Sequence, residues 1–133
     1  MADAKISFDL VSPERLLLSE DAEMVTSPGA EGEMGIMAGH MPLVSTLKPG
    51  VIDVKIAHGN HDRFFVTGGF AEVTATKLTV LAEEALPLAH LDEETLRERI
   101  IDAQEDIATA KTDAEMIRAT AALSEYKRLL AAE

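Results

Sequence analysis

The sequence contains no cysteine, which excludes a disulfide framework, thiol catalysis and thiolate metal ligation. No apolar run approaches the roughly 20 residues needed to span a bilayer. Met1 to Lys5 carry neither a basic apolar leader nor an Arg-rich transit pattern, so export or organelle import is not expected. Clusters of basic residues are also lacking. The formal net charge is −12, and 13 acidic and 6 basic residues through His90 are followed by 11 and 6 from Leu91 onward. A surface of this sign repels phosphate backbones and anionic headgroups, which are bound through clustered Lys and Arg. Nucleic-acid binding and direct membrane insertion are therefore not expected, whereas a basic protein partner fits.

What is present changes character once, near Pro87 to Leu91. The 133 residues, 47% hydrophobic and 27% charged, suit one compact core with an appendage. Up to that point Gly, Pro, Val and Thr are frequent and short stretches alternate. Ile6, Phe8 and Leu10 interleave with Ser7 and Asp9, and Ile52, Val54 and Ile56 with Asp53 and Lys55, the pattern of half-buried strands. Further strands are predicted at Phe70 to Val73 and Leu78 to Ala82. Lys48-Pro49-Gly50-Val51 suits a type II turn, and Gly59-Asn60 a hairpin connection. Turns at intervals of about ten residues point to an antiparallel sandwich or barrel.

From Leu88 onward there is neither Gly nor Pro. Leu96, Ile100, Ala103, Ile107 and Ala110 fall on one helical face, as do Met116, Ala119, Leu123, Tyr126 and Leu130 on a second helix. Asp92 is placed to cap the first helix, with Leu91 and Leu96 as a hydrophobic staple, and Thr112 with Glu115 forms a capping box for the second. The short segment around Lys111 predicts an antiparallel hairpin of helices roughly 27–30 Å long. Its seam holds few large side chains, each contributing about 1.5–3 kcal/mol, against the entropy of ordering about forty residues. Such a hairpin is marginal alone and suited to movement.

The most unusual stretch runs from Ser27 to Gly50, with Gly29, Gly32, Gly35, Gly39 and Gly50 among Pro28, Pro42 and Pro49. It lacks the Gly-Lys-Ser/Thr ending of a phosphate loop and the spacing of a dinucleotide fingerprint, so turns that project from one end of a sandwich are the plainer reading. His40 has no evident partner for general-base work. His58 and His61 have a spacing seen in metal sites, yet no third ligand is suggested. The pairs Glu31 with Glu33 and Glu83 with Glu84 are expected by chance in so acidic a chain. No catalytic motif is present. Two readings stand without any appeal to resemblance: a stand-alone β-sandwich protein- or ligand-binding module with a helical tail, and a small acid/base enzyme using His40 and a glutamate.

In order, Phe8-Asp9-Leu10-Val11-Ser12-Pro13-Glu14-Arg15, Gly32-Glu33-Met34-Gly35-Ile36, Gly39-His40-Met41-Pro42-Leu43, Leu47-Lys48-Pro49-Gly50, Gly68-Gly69-Phe70-Ala71-Glu72-Val73 and Leu78-Thr79-Val80-Leu81-Ala82 cover the β part. With the Ala-rich hairpin that follows, the chain resembles the epsilon subunit of F-type rotary ATP synthases over nearly its whole length. The resemblance implies an α+β fold, with an N-terminal antiparallel β-sandwich of about ten strands over residues 1–87 and a regulatory two-helix hairpin over 88–133. It implies a non-catalytic rotor subunit of the central stalk, docked on the gamma shaft and resting on the c-ring through Glu31, Gly32, Glu33, His40, Met41 and Pro42. The hairpin would reach the catalytic alpha and beta subunits if it extends. The location implied is peripheral, on the cytoplasmic face of the bacterial inner membrane, and no cofactor is implied.

Some bacterial members bind ATP through an Ile/Leu-Asp-x-x-Arg-Ala motif, which here reads Leu91-Asp92-Glu93-Glu94-Thr95-Leu96. Thr95 stands where the guanidinium would be, removing a charge-assisted contact worth about 1.5–3 kcal/mol. Calorimetry with ATP and the full chain is expected to give no binding or weak binding, and micromolar affinity would contradict this.

Overall fold

A computed structural model describes residues 5–29 and 32–132. It contains ten strands and two helices: β1 Ile6–Val11, β2 Leu16–Ala22, β3 Met24–Gly29, β4 Gly32–Ile36, β5 Leu43–Leu47, β6 Gly50–Lys55, β7 His61–Val66, β8 Gly69–Val73, β9 Lys77–Ala82, β10 Ala85–Pro87, α1 Glu93–Thr109 and α2 Asp113–Ala131. The contacts divide into two units, Met1–Pro87 and Leu88–Glu133. No helix among the described residues is long and apolar enough to cross a membrane.

The strands form one ten-stranded sheet in the order β10-β7-β6-β3-β5-β8-β9-β1-β2, with β4 paired to β3. Period-two alternation sets the inner face. Ile6, Phe8 and Leu10 of β1 are fully buried, as are Ile52 and Val54 of β6 and Leu78 and Val80 of β9. Side chains from both halves of the strand order enter a single core that includes Phe8, Val25, Ile36, Val54, Val73 and Leu78. One continuous sheet can share one core only by folding over itself. It does so where β3 meets β5 through a single pair, Gly29 opposite Leu47. A sandwich is the result.

Three details depart from the sequence-based expectation. The sheet is antiparallel except that β1 runs parallel to β9, from Ser7 opposite Lys77 to Val11 opposite Leu81. Some seventy residues separate these strands, so no hairpin constrains their relative direction. Lys48 to Val51 is not a type II turn. Gly50 is absent from the glycines with positive φ, and it opens β6 opposite Val66 while the Lys48 N–H donates to Pro28 O at 2.9 Å. The chain is passing between layers there, not reversing within one. Between β6 and β7 a hairpin does form. Its left-handed residues are His58 (φ 64°) and Gly59 (φ 76°), one position earlier than Gly59-Asn60.

In the second unit, Asp92 caps α1 by accepting from the Thr95 N–H at 2.8 Å. Thr112 caps α2 by accepting from the Glu115 N–H at 3.1 Å. The Glu115 carboxylate accepts from Lys111 N–H at 3.4 Å, one residue before the usual position of a capping box. Three residues, Ala110 to Thr112, join the helices. With 17 residues α1 is about 25 Å long, shorter than expected because Asp92 lies outside the helix and Thr109 ends it. Leu96, Ala103, Ala119 and Tyr126 are buried on the predicted seams. Arg99, early in α1, donates to the Tyr126 hydroxyl, late in α2, at 3.2 Å, as an antiparallel hairpin requires. Met116, placed on the seam by spacing, is exposed instead. It stands in the first turn of α2, where the helices have only just diverged from their short link.

Gly69 has the least room of the described glycines. Its φ is +142°, and a Cβ there would sit 2.0 Å from Leu81 O, a backbone atom that cannot step aside. Gly69→Ala is expected to lower stability by at least about 2 kcal/mol, from strain in φ and displacement of β9. Urea unfolding of the full chain measures this, and a loss below about 0.5 kcal/mol would contradict the reading.

Candidate functional site

No group of three metal-ligating side chains occurs among the described residues. Two surface features stand out instead.

The first is a row of side chains on the outer face of five adjacent strands. Thr46 of β5 lies opposite Phe70 of β8, Phe70 opposite Leu81 of β9, Leu81 opposite Val11 of β1, and Val11 opposite Leu16 of β2. Thr46, Phe70, Leu81 and Val11 project away from the core, because their neighbours Leu47, Ala71, Val80 and Leu10 point inward, and a bulge that sets Leu18 opposite Leu10 but Leu16 opposite Val11 brings Leu16 to the same outer face. Phe70 and Leu16 are 54% exposed and Leu81 is 51% exposed. Between Pro13, Phe70 and Leu81 the surface dips into a groove of about 190 Å³. Val44, one row over, is exposed as well.

That neighbouring row is otherwise polar, running from Glu72 and Thr79 to Asp9 and Ser19. The Ser19 hydroxyl donates to Asp9 at 2.7 Å and Lys77 pairs with it at 3.1 Å. Together the hydroxyl and the ammonium hold the Asp9 carboxyl below its ordinary value. The result is an apolar band with a polar border on one side. A face of this kind suits a protein partner better than a small ligand.

The second feature is the segment from β4 to β5. Gly32 opens β4 with φ +133°, and Glu33 is exposed opposite Pro28. Beyond Ile36 a turn closes through His40 N–H donating to Met37 O at 3.1 Å, and Gly39 (φ +86°) donates to Ala75 O at 2.7 Å. These bonds fix the tip. They leave Met37 57% and Met41 79% exposed, with Pro42 exposed beside them. The His40 Nδ1 lies 2.7 Å from Met41 O, the geometry of an N–H donating to that carbonyl. Among the described residues no hydrogen bond or ion pair joins Glu33 to His40, so the two do not form an acid/base pair. Glu31 lies outside the described residues.

The remaining residues singled out by sequence have other occupations. Asp92 is committed to capping α1, and the Thr95 N–H that it accepts lowers its carboxyl. Leu91 is buried. His61 does not form a site with His58. It contacts Asp53 Oδ1 at 2.5 Å, and Arg63 donates to Asp53 Oδ2 at 2.9 Å. Burial alone would raise the Asp53 carboxyl, yet His61 and Arg63 outweigh it and hold the group low. Spacing and motif reasoning passed over the apolar band. The available signal was parity, since Phe70 and Leu81 each sit one residue from a position that must face the core.

An exposed apolar band and a projecting loop on a β-sandwich are features that suit a subunit of a protein assembly. The family model for the ATP synthase delta/epsilon chain β-sandwich domain matches residues 5–88. The ATP synthase epsilon chain of Parvibaculum lavamentivorans is 53% identical, over 94% of this chain and 95% of that protein. That of Mesorhizobium japonicum is 48% identical, over 97% and 95%. This chain belongs to the ATP synthase epsilon family. Among solved structures, a chain in the Euglena gracilis mitochondrial ATP synthase (OSCP/F1/c-ring, rotational state 1) superposes with a TM-score of 0.77 at 31% identity, covering 97% of this chain and 81% of that one. A chain in the Tetrahymena thermophila mitochondrial ATP synthase central stalk and c-ring shares the fold, with a TM-score of 0.65 at 16% identity over 98% and 99%.

Proposed function

We propose that this chain is the non-catalytic rotor subunit that couples the gamma shaft to the c-ring of a proton-translocating ATP synthase. The observation that carries the reading is the apolar band of exposed Leu16, Leu81 and Phe70 with half-buried Val11 among them, on one outer face of the sandwich. Exposed apolar surface is unfavourable in water by about 25 cal/mol per Å², and a partner that covers the band recovers that free energy. We assign the band to the gamma shaft.

Gly32, Glu33, His40, Met41 and Pro42, with Glu31, are assigned to the c-ring. Turn bonds at Met37–His40 and at Gly39 support a loop that keeps its shape under torque. Its exposed methionines adapt to an uneven polar-apolar surface. The acidic charge of Glu33 suits basic ring loops. Helices α1 and α2 are assigned a regulatory role, reaching the catalytic alpha and beta subunits when extended. The bacterial relatives support a site of action on the cytoplasmic face of the inner membrane, peripheral to the embedded part of the complex.

Phe70→Glu with Leu81→Glu is expected to weaken capture by purified gamma at least about fiftyfold, since two large apolar contacts are replaced by charges. Thermal stability should stay near that of the wild-type chain because both positions are exposed. Undiminished capture would move the shaft to another face. Separately, Glu33→Lys in the assembled enzyme is expected to weaken ring association and lower ATP-driven proton pumping severalfold. If both stay at wild-type levels, the assignment of Glu33 to the ring is lost.

A further inference from the structure

Two acidic side chains face the interior of the sandwich. Glu20 lies on β2 opposite Phe8, whose side chain is fully buried, and its inward neighbours along the strand are Leu18 and Ala22. Asp62 lies on β7 opposite the buried Val54, followed on the same face by Phe64. β2 ends the strand order and β7 is next to its other end, so these strands are joined by no backbone ladder. The carboxyls of Glu20 and Asp62 nevertheless meet across the layers.

Glu20 Oε2 is buried, and no N–H or O–H among the described residues reaches it. Two ionised carboxylates would repel each other there, and neither could donate a hydrogen bond. A proton between them removes the repulsion and makes one strong bond.

We propose that Glu20 and Asp62 form a proton-held clasp, which fastens β2 to β7 across the two layers of the sandwich and releases when the shared proton leaves. Asp62 is the titratable group that acts on Glu20 among the described residues, and the other side chains around them named above are apolar. Burial first, and then Asp62, push the Glu20 carboxyl up from 4.5 to about 7. The closed form therefore holds a proton that the open form gives up. The contribution of the clasp is complete below about 4.5 and is lost as pH rises to about 7, above which it levels off. Neutral pH falls at the upper end of that change. The inference stands on the sandwich alone and does not depend on the rotor assignment.

The test uses the full chain. Carbon-detected NMR should show the Glu20 side-chain carboxyl titrating near neutrality in the wild-type chain, and well below that in Asp62→Asn. Hydrogen exchange of β2 amides, corrected for the intrinsic effect of pH, should show protection falling severalfold between pH 5 and 7.5, at most about tenfold per unit. In Glu20→Gln the amide donates to Asp62 at every pH, so β2 protection should be flat and should exceed that of the wild-type chain at pH 7.5. A wild-type Glu20 midpoint at or below 5 overturns the proposal, as does a β2 profile that Glu20→Gln leaves unchanged. Should the Gln variant fail to fold, the wild-type carbon titration and exchange profile decide the matter.

Discussion

A ten-stranded sheet with an apolar face has more inner surface than it can leave in water, and this chain hides it by folding the sheet back where Gly29 meets Leu47. That single pair is a weak ladder but a sufficient corner. A Cβ on Gly29 would lie 2.8 Å from Gly32 O, so the close approach of β3 and β4 beside the corner depends on the missing side chain. From the fold-over follows the shared core, and from the shared core the strict alternation of buried and outward residues in β1, β6 and β9.

Once the inward set is fixed, the outward set has no freedom either. Phe70 cannot turn inward without exposing Ala71 and Val73, because a one-residue slip exchanges the two faces of a strand. The apolar band is thus held rigidly by the same core that it does not join. Rigidity of this kind is what a rotor contact needs, since a surface transmitting torque must not repack under load. The turn bonds of Met37–His40 and Gly39 extend the same stiffness into the loop assigned to the ring. By contrast, the hairpin buries only Leu96, Ala103, Ala119 and Tyr126 on its two helices. A few contacts of this size leave little margin over the entropy of ordering the segment, which suits an element that changes position.

Much of the fold could be read from local pattern. Ile6, Phe8 and Leu10 announce a strand, and Asp92 and Thr112 announce helix starts, because these signals act within a few residues of backbone. Of the site, the projecting glycine-rich loop was legible, since Gly39 and Pro42 have few uses other than turns. The band of Leu16, Val11, Leu81 and Phe70 was not. Its members come from four strands, and only the register that sets Leu81 against both Phe70 and Val11 makes them one surface.

By itself, then, the sequence determined the β-to-α change at Pro87 to Leu91, the caps, the alternation and the family. Each of these is written in neighbouring residues and their spacing. Only the tertiary structure decided that β1 runs parallel to β9, that Gly50 is extended, and that Glu20 confronts Asp62 across the layers. Those outcomes depend on which distant strands meet, and that is chosen by burial of the whole inner face at once and not by any local preference.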